Sequence, residues 1–255
     1  MRITVVSPHR GDAAFALGLT IGAWLKRGHS VEVVNCFTRS QFAPYSDVLS
    51  LHENDRMSFA TAIRKREDEA WRKHYGVAKL KLTDLSLKDA PARLHCKPEE
   101  VSGRAADVPE KVMLKIRKAI ESSKGGALVL PLGIGAHIDY VSARDASIAL
   151  VPEALPMAFY DELPFALGAT PEMEEAVAHQ LSLTLGNTLR RAPANNMQDS
   201  AKGDNVSQRR RMALCYDSQF DEKATAEIAG FGVERGGQEP LWVNTAWGSR
   251  TELNA

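Results

Sequence analysis

The stretch Arg2–Gly18, RITVVSPHRGDAAFALG, constrains the fold of the whole chain. A short apolar run, Ile3–Val6, stops at Ser7-Pro8. The polar cluster His9-Arg10-Gly11-Asp12 follows, and then an alanine-rich segment with helical spacing. This order predicts a strand, a tight loop and a helix start. In open α/β sheets such a loop sits at the carboxyl end of its strand, where ligands bind. Ala13–Arg27 is expected as the helix, with Asp12 as its N-cap and Gly28 closing it. The β-branched run Val31–Thr38 is the expected second strand, and strand–helix–strand of this length predicts parallel pairing.

The arrangement recurs at Ala127–Leu132, a buried strand running into GIGAHIDYVSARDASIAL. A second loop there carries His137 and Asp139 ahead of a helix to about Leu150. Between the two loops, Arg39–Asp55 reads as a long loop over the sheet's carboxyl edge. Met57–Tyr75 reads as a helix with Trp71 on its buried side and RKRED as a solvated face. Lys79–Leu85 is a strand. Pro109–Ser122 is a helix with the apolar row Val112, Ile116 and Ile120, closed by Gly125-Gly126. Lys88–Asp107 carries no clear pattern. Later elements are a strand at Met157–Tyr160, helices at Pro171–Leu185, Arg209–Ser218 and Asp221–Ala229, and an edge strand at Leu241–Thr245. Pro193–Ser207 is polar and reads as a mobile insertion. The expectation is a single α/β domain over 1–255, with a mainly parallel sheet and helices on both faces.

Thirty-two basic residues balance thirty-two acidic ones, so no global field draws the chain to nucleic acid or to an anionic membrane. Ile3–Val6 is too short for a signal-peptide core. The longest near-apolar stretch, Ala13–Leu25, falls short of the ~20 residues that span a bilayer. Cys36, Cys96 and Cys215 are odd in number and not motif-spaced, which reads as free thiols in a reducing cytoplasm.

His9, Asp12 and His137 offer the imidazole and carboxylate donors of a zinc site with an open position. Such an ion lowers the pKa of bound water towards ~7. Asp139 is placed to fix the imidazole of His137 from behind. The same residues also serve without a metal, Asp12 as a helix cap and the histidines as hydrogen-bonding groups. The glycines of the two loops do not form a dinucleotide fingerprint. His29, His52, His74, His95 and His179 lack partners at suggestive spacing and read as surface residues, while Trp24 and Trp71 read as core.

Five segments in order carry a family resemblance: VVSPHRGDAAFALGLTIGAWLKRGHSVEVVNCFTR, RKREDEAWRKHYGV, PLGIGAHIDYVSARDA, FYDELPFAL and RRRMALCYDSQF. Together they resemble the LmbE-like, or PIG-L, de-N-acetylases. The resemblance implies a Rossmann-like α/β sandwich and zinc-dependent removal of acetyl groups from N-acetylglucosamine-type substrates. It places His9 and Asp12 on two zinc ligands, Tyr140 on the third, and His137 on the histidine that steadies the transition-state oxygen, with Asp139 beside it. Two positions depart from the family's pattern. Gly11 stands where the family has its general base, and Tyr140 where it has a ligating histidine; a neutral phenol (pKa ~10) is a poor zinc ligand. Arg10 replaces a proline and adds a positive charge beside the site.

The expectation is therefore a family relative with impaired catalysis and doubtful zinc occupancy; the active alternative has Asp139 or a loop residue moving in as base and Tyr140 binding as phenolate. If the site is a decayed one, the double change Gly11→Asp with Tyr140→His is expected to raise metal affinity and hydrolysis. If zinc is lost, Arg10, His9, His137 and the helix start would favour a sugar, phosphate or carboxylate ligand. Arg10 is then a ligand-binding group, and the partner an amino-sugar or anionic small molecule. A structural subunit paired with an active relative is the third alternative. The sequence leaves the oligomeric state open, a homo-oligomer included.

Overall fold

Alternation of buried strands with helices yields one seven-stranded sheet in the computed structural model. It describes residues 1–76, 80–103, 108–121, 126–149, 154–193, 202–231 and 239–253. The strands are β1 (Arg2–Ser7), β2 (Ser30–Asn35), β3 (Leu80–Asp84), β4 (Ala127–Pro131), β5 (Met157–Tyr160), β6 (Arg190–Pro193) and β7 (Pro240–Val243). Their spatial order is β3-β2-β1-β4-β5-β7-β6. The first five are parallel, and β7 pairs antiparallel with both β5 and β6. Strands buried on both sides, such as β4 and β5, read as unbroken apolar runs. The outer strand β3 is only half-buried.

The helices among the described residues are α1 (Asp12–Lys26), α2 (Glu53–Lys73), α3 (Ala90–Leu94), α4 (Glu110–Glu121), α5 (Ile138–Ile148), α6 (Pro171–Leu185), α7 (Lys202–Ala213), α8 (Glu222–Gly230) and α9 (Thr245–Gly248). The chain steps from β1 through α1 to β2, and later from β4 through α5 to β5, in opposite lateral directions. Right-handed crossovers then put these helices on opposite faces. Ile3, Val5, Val129, Phe159, Trp24 and Trp71 belong to one continuous apolar core. No helix among the described residues is long and apolar enough to cross a membrane.

Several expectations are corrected. Gly11, not Asp12, caps α1, and Asp12 opens the helix. The segment expected as an edge strand at Leu241–Thr245 is β7, which lies inside the sheet; the edge is β6. Asp139 belongs to the first turn of α5, not to the loop before it. His29 is buried, between the Met1 amino group and the Glu252 carbonyl. The largest correction concerns RKRED: Arg64, Glu67 and Asp68 are all buried. Lys79, Ser122, Gly125 and Leu150, expected boundaries of elements, lie outside the described residues. So do residues 194–201 of the expected insertion, whose end from Lys202 onward is helical.

Candidate functional site

β1 and β4 are neighbours, and both carry their loops at their carboxyl ends. The strand order turns from β1 outward in both directions, which is where doubly wound sheets open a crevice. Within the first loop, the Ser7 hydroxyl donates to the His9 carbonyl at 2.6 Å, and the His9 N–H donates to Asp12 Oδ2 at 2.7 Å. In the second, Gly133 and Gly135 take left-handed backbone angles, φ 95° and 73°. The buried Glu162 carboxyl accepts the N–H groups of Gly133 and Ile134, fixing that loop. The His137 ring then caps α5, its Nδ1 accepting the Asp139 N–H at 3.1 Å. This leaves the proton of the neutral ring on Nε2.

His9 ties the loops together. Its Nε2 lies 3.0 Å from Asp139 Oδ2 and its Nδ1 3.6 Å from Asp12 Oδ2. The Asp139 carboxylate therefore orients His9, while its backbone N–H is what fixes the ring of His137. Asp139 is also bound by Arg93 Nη2 at 2.8 Å and by the Ala90 N–H at 2.8 Å. Arg93 lies over the Phe37 ring, 5.0 Å from its centroid. Tyr140 is buried, and its hydroxyl donates to Asp12 Oδ1 at 2.8 Å.

Charges follow from these contacts. Burial disfavours a charged His9, but the hydrogen bonds and charges of Asp12 and Asp139 outweigh it and raise its pKa to about 9. Burial and the neighbouring positive His9 push His137 down to about 4, so it is neutral. Burial raises Asp139, but its bond to His9 and the charges of His9 and Arg93 hold its pKa below the ordinary value. Burial and the Asp12 carboxylate push the Tyr140 phenol well above 10.

The cavity between the loops has a volume of about 740 Å³. His9, Asp12, His137 and Tyr140 line it, and Phe42 and Phe165 form part of its wall while remaining 45% and 38% exposed. Arg10, expected to meet a ligand here, is turned away. Its Nη1 donates to the Thr38 and Thr61 carbonyls at 2.8 and 3.2 Å, and its Nη2 binds Asp84 at 2.7 Å. The cationic residue of α2 that does line the cavity is Arg64.

One nitrogen each from His9 and His137 and one Asp139 oxygen lie within 4.8 Å of one another, a spacing at which a metal ion could be held. The three-ligand zinc arrangement carried over from the resemblance does not fit. Its third ligand, Tyr140, holds its proton and spends it on Asp12. Asp139 is occupied by Arg93, Ala90 and His9. A guanidinium bound to that carboxylate adds positive charge where a divalent ion would need negative charge.

Sequence reasoning missed Arg93, Arg64 and Glu162. Arg93 lies in the stretch without periodicity, and Arg64 was hidden in a run of charges. Glu162 stood in a quoted segment, DELP, with nothing nearby to mark its partners.

No family model matches the sequence, and no curated protein matches it. Solved structures do match across nearly the whole chain. The zinc-inhibited form of the teicoplanin deacetylase Orf2 is 22% identical with a TM-score of 0.64, covering 96% of this chain and 98% of its own. The N,N'-diacetylchitobiose deacetylase from Pyrococcus horikoshii is 16% identical with a TM-score of 0.56, covering 98% and 86%. GalB, the 4-carboxy-2-hydroxymuconate hydratase from Pseudomonas putida KT2440, is 11% identical with a TM-score of 0.56, covering 95% of each. The chain has the fold of the LmbE-type deacetylases, a fold that also serves a hydratase.

Proposed function

We propose that this chain binds a small molecule in the cleft between the β1 and β4 loops, and that the zinc-dependent deacetylation of its structural neighbours is lost or vestigial. The observation that carries this reading is the hydrogen bond from Tyr140 to Asp12. It commits a carboxylate that would hold zinc, and it does so with a protonated phenol in place of a ligating imidazole. Gly11 adds to it: no side chain stands where the resemblance places the general base, help typically worth ~10²–10⁴ in rate. Asp139 is no substitute base, since three donors already hold it.

What the cleft keeps is a binding surface. The neutral His137 ring carries its remaining proton on Nε2 and offers it to a ligand oxygen. Phe42 and Phe165 supply apolar walls for the ligand's body. The deacetylase neighbours support an N-acetyl amino-sugar type of ligand. The hydratase neighbour acts on a carboxylated molecule, so the fold alone does not choose between neutral and acidic ligands.

The test is elemental mass spectrometry on untagged protein beside a His9→Ala control, with acetate release measured from N-acetylglucosamine and N,N'-diacetylchitobiose. The reading expects far less than one zinc per chain and no sustained acetate release. One zinc per chain that disappears in the control, together with turnover, would overturn it.

A further inference from the structure

α1 carries the cleft residues Asp12 and Phe15 at its start, and its middle is built from poor helix formers. Gly18, Thr20, Ile21 and Gly22 follow a run rich in alanine. Glycine is among the weakest helix formers, and β-branched residues are weaker than straight-chain ones. The glycines are there because of what packs on them. A Cβ on Gly18 would lie 2.7 Å from Met212 Sδ, and one on Gly22 would lie 3.4 Å from Tyr75 Cε1.

At this weak middle an ion pair enters the backbone of the helix. In a regular helix the Leu19 N–H serves the Phe15 carbonyl, one rung of the ladder. Here the Phe15 carbonyl accepts Arg209 Nη2 at 3.1 Å, and the Leu19 N–H donates to Glu239 Oε1 at 3.1 Å. The next N–H, that of Thr20, donates to Glu239 Oε2 at 2.8 Å. Arg209 Nη1 closes the bridge to Glu239 Oε1 at 3.1 Å. The Gly18 carbonyl accepts the Tyr75 hydroxyl at 2.9 Å. Arg209 belongs to α7, and its Nη2 also reaches the Ile228 carbonyl of α8 at 3.1 Å; Glu239 immediately precedes β7.

Both side chains of the pair are buried, 4% and 1% exposed. A buried ion pair is seldom more stabilising than apolar packing of the same volume, and its better-attested use is to specify geometry. Neither residue lines the cleft. A side chain inserted into a helical ladder is also a known cause of bending. We propose that α1 is hinged between Phe15 and Thr20, and that the Arg209–Glu239 pair is the latch that fixes its first half, and with it Asp12 and Phe15, against the body of the fold. When the latch opens, the first half shifts as a unit and carries the carboxylate that receives the Tyr140 hydroxyl and the His9 N–H. The latch acts in this way whatever the cleft binds.

Amide hydrogen exchange of the full chain, resolved along α1, tests it in Glu239→Gln. The neutral amide keeps one acceptor oxygen but sets an NH2 group where the second N–H needs an acceptor. The amides of residues 16–20 should exchange at least about tenfold faster, as loss of hydrogen bonds to a charged group provides, while residues 24–26 stay within about twofold of the parent. The His9 N–H, whose acceptor rides on the first turn, should follow the first half. Equal acceleration of both halves is general loosening and overturns the hinge, as does no change in either. A first half that loosens without the His9 N–H overturns the link to the cleft. If Glu239→Gln does not fold, the parent in rising, sub-denaturing urea decides. Residues 16–20 should open before residues 24–26, in a step below global unfolding, and a single joint opening overturns the proposal.

Discussion

Phe15 fills the space that any side chain at residue 11 would need. A Cβ built on Gly11 would lie 2.6 Å from Phe15 Cε2 and 2.7 Å from its Cζ. The backbone there has φ 99°, where a residue with a side chain is strained. The absence of a side chain at residue 11 is therefore built into the packing of α1, because the ring one turn along takes up the space.

Gly11→Asp is accordingly expected to destabilise the chain by roughly 2–4 kcal/mol, from backbone strain and overpacking together. Adding Phe15→Ala should relieve the clash but not the strain, at the expense of a cavity. Thermal unfolding of the single and double variants checks this. The route back through Gly11→Asp and Tyr140→His alone is closed by packing, and a single variant as stable as the parent would show that the ring moves aside freely.

Tyr140→Phe and Tyr140→His separate the two roles open to that residue. The phenylalanine variant strips a donor from buried Asp12, at a cost of about 1–3 kcal/mol, and should leave zinc content at the parent's low level. The histidine variant restores an imidazole and should raise zinc content after dialysis against the metal. Zinc bound by the parent and lost in Tyr140→Phe would instead make the phenol a ligand.

The bridging position of His9 sets a pH dependence. Its folded pKa of about 9 exceeds the ordinary 6.5. The stability it contributes is thus fully present below about pH 6.5 and lost as pH rises towards 9. The amount is on the order of 3 kcal/mol. Asp68 and Glu162, which burial raises to about 7 and about 8, also favour the folded state at lower pH, so the His9 share must be read by difference. Urea unfolding from pH 6 to 9 should show a steeper decline in the parent than in His9→Gln. Parallel slopes would mean that His9 does not carry the proton.

Glu162 should behave as the clamp of the second loop. Glu162→Ala leaves the Gly133 and Ile134 N–H groups without an acceptor and should cost roughly 2–4 kcal/mol, with weaker ligand binding. Glu162→Gln keeps an acceptor oxygen and should cost less than half as much. Equal losses would mean that acceptance of the Gly133 and Ile134 N–H groups is not the stabilising feature.

The fold was legible wherever the signal was local. The apolar row Val112, Ile116 and Ile120 is buried as its spacing predicts, and the strand Met157–Tyr160 and the helix Pro171–Leu185 fall on the expected residues. Reading failed where a residue's environment comes from distant parts of the chain. Asp68 looks solvated within RKRED, yet its partners are Asn35 and Tyr216, 33 and 148 residues away. A charge pattern on a helix records the charges and not who meets them. β7 looked like an edge because nothing in its sequence identifies β6 as its outer neighbour. Residues of the two loops line one cavity, as their place after β1 and β4 suggests, but their contacts are not legible in the sequence. Arg10 lay in the motif and points elsewhere, whereas Arg93 lay outside every motif and holds Asp139.

His9 and Asp139 are 130 residues apart, and they meet only because β1 and β4 pair. The cleft therefore does not exist in any partly assembled chain that lacks this pairing. Whatever occupies it binds the native ensemble alone and shifts the unfolding equilibrium by mass action, about 2.7 kcal/mol at a hundredfold excess over Kd. A melting-temperature screen of a compound library thus reports occupancy directly and requires no turnover. Such a screen finds a ligand of this cleft whether or not the chain turns it over.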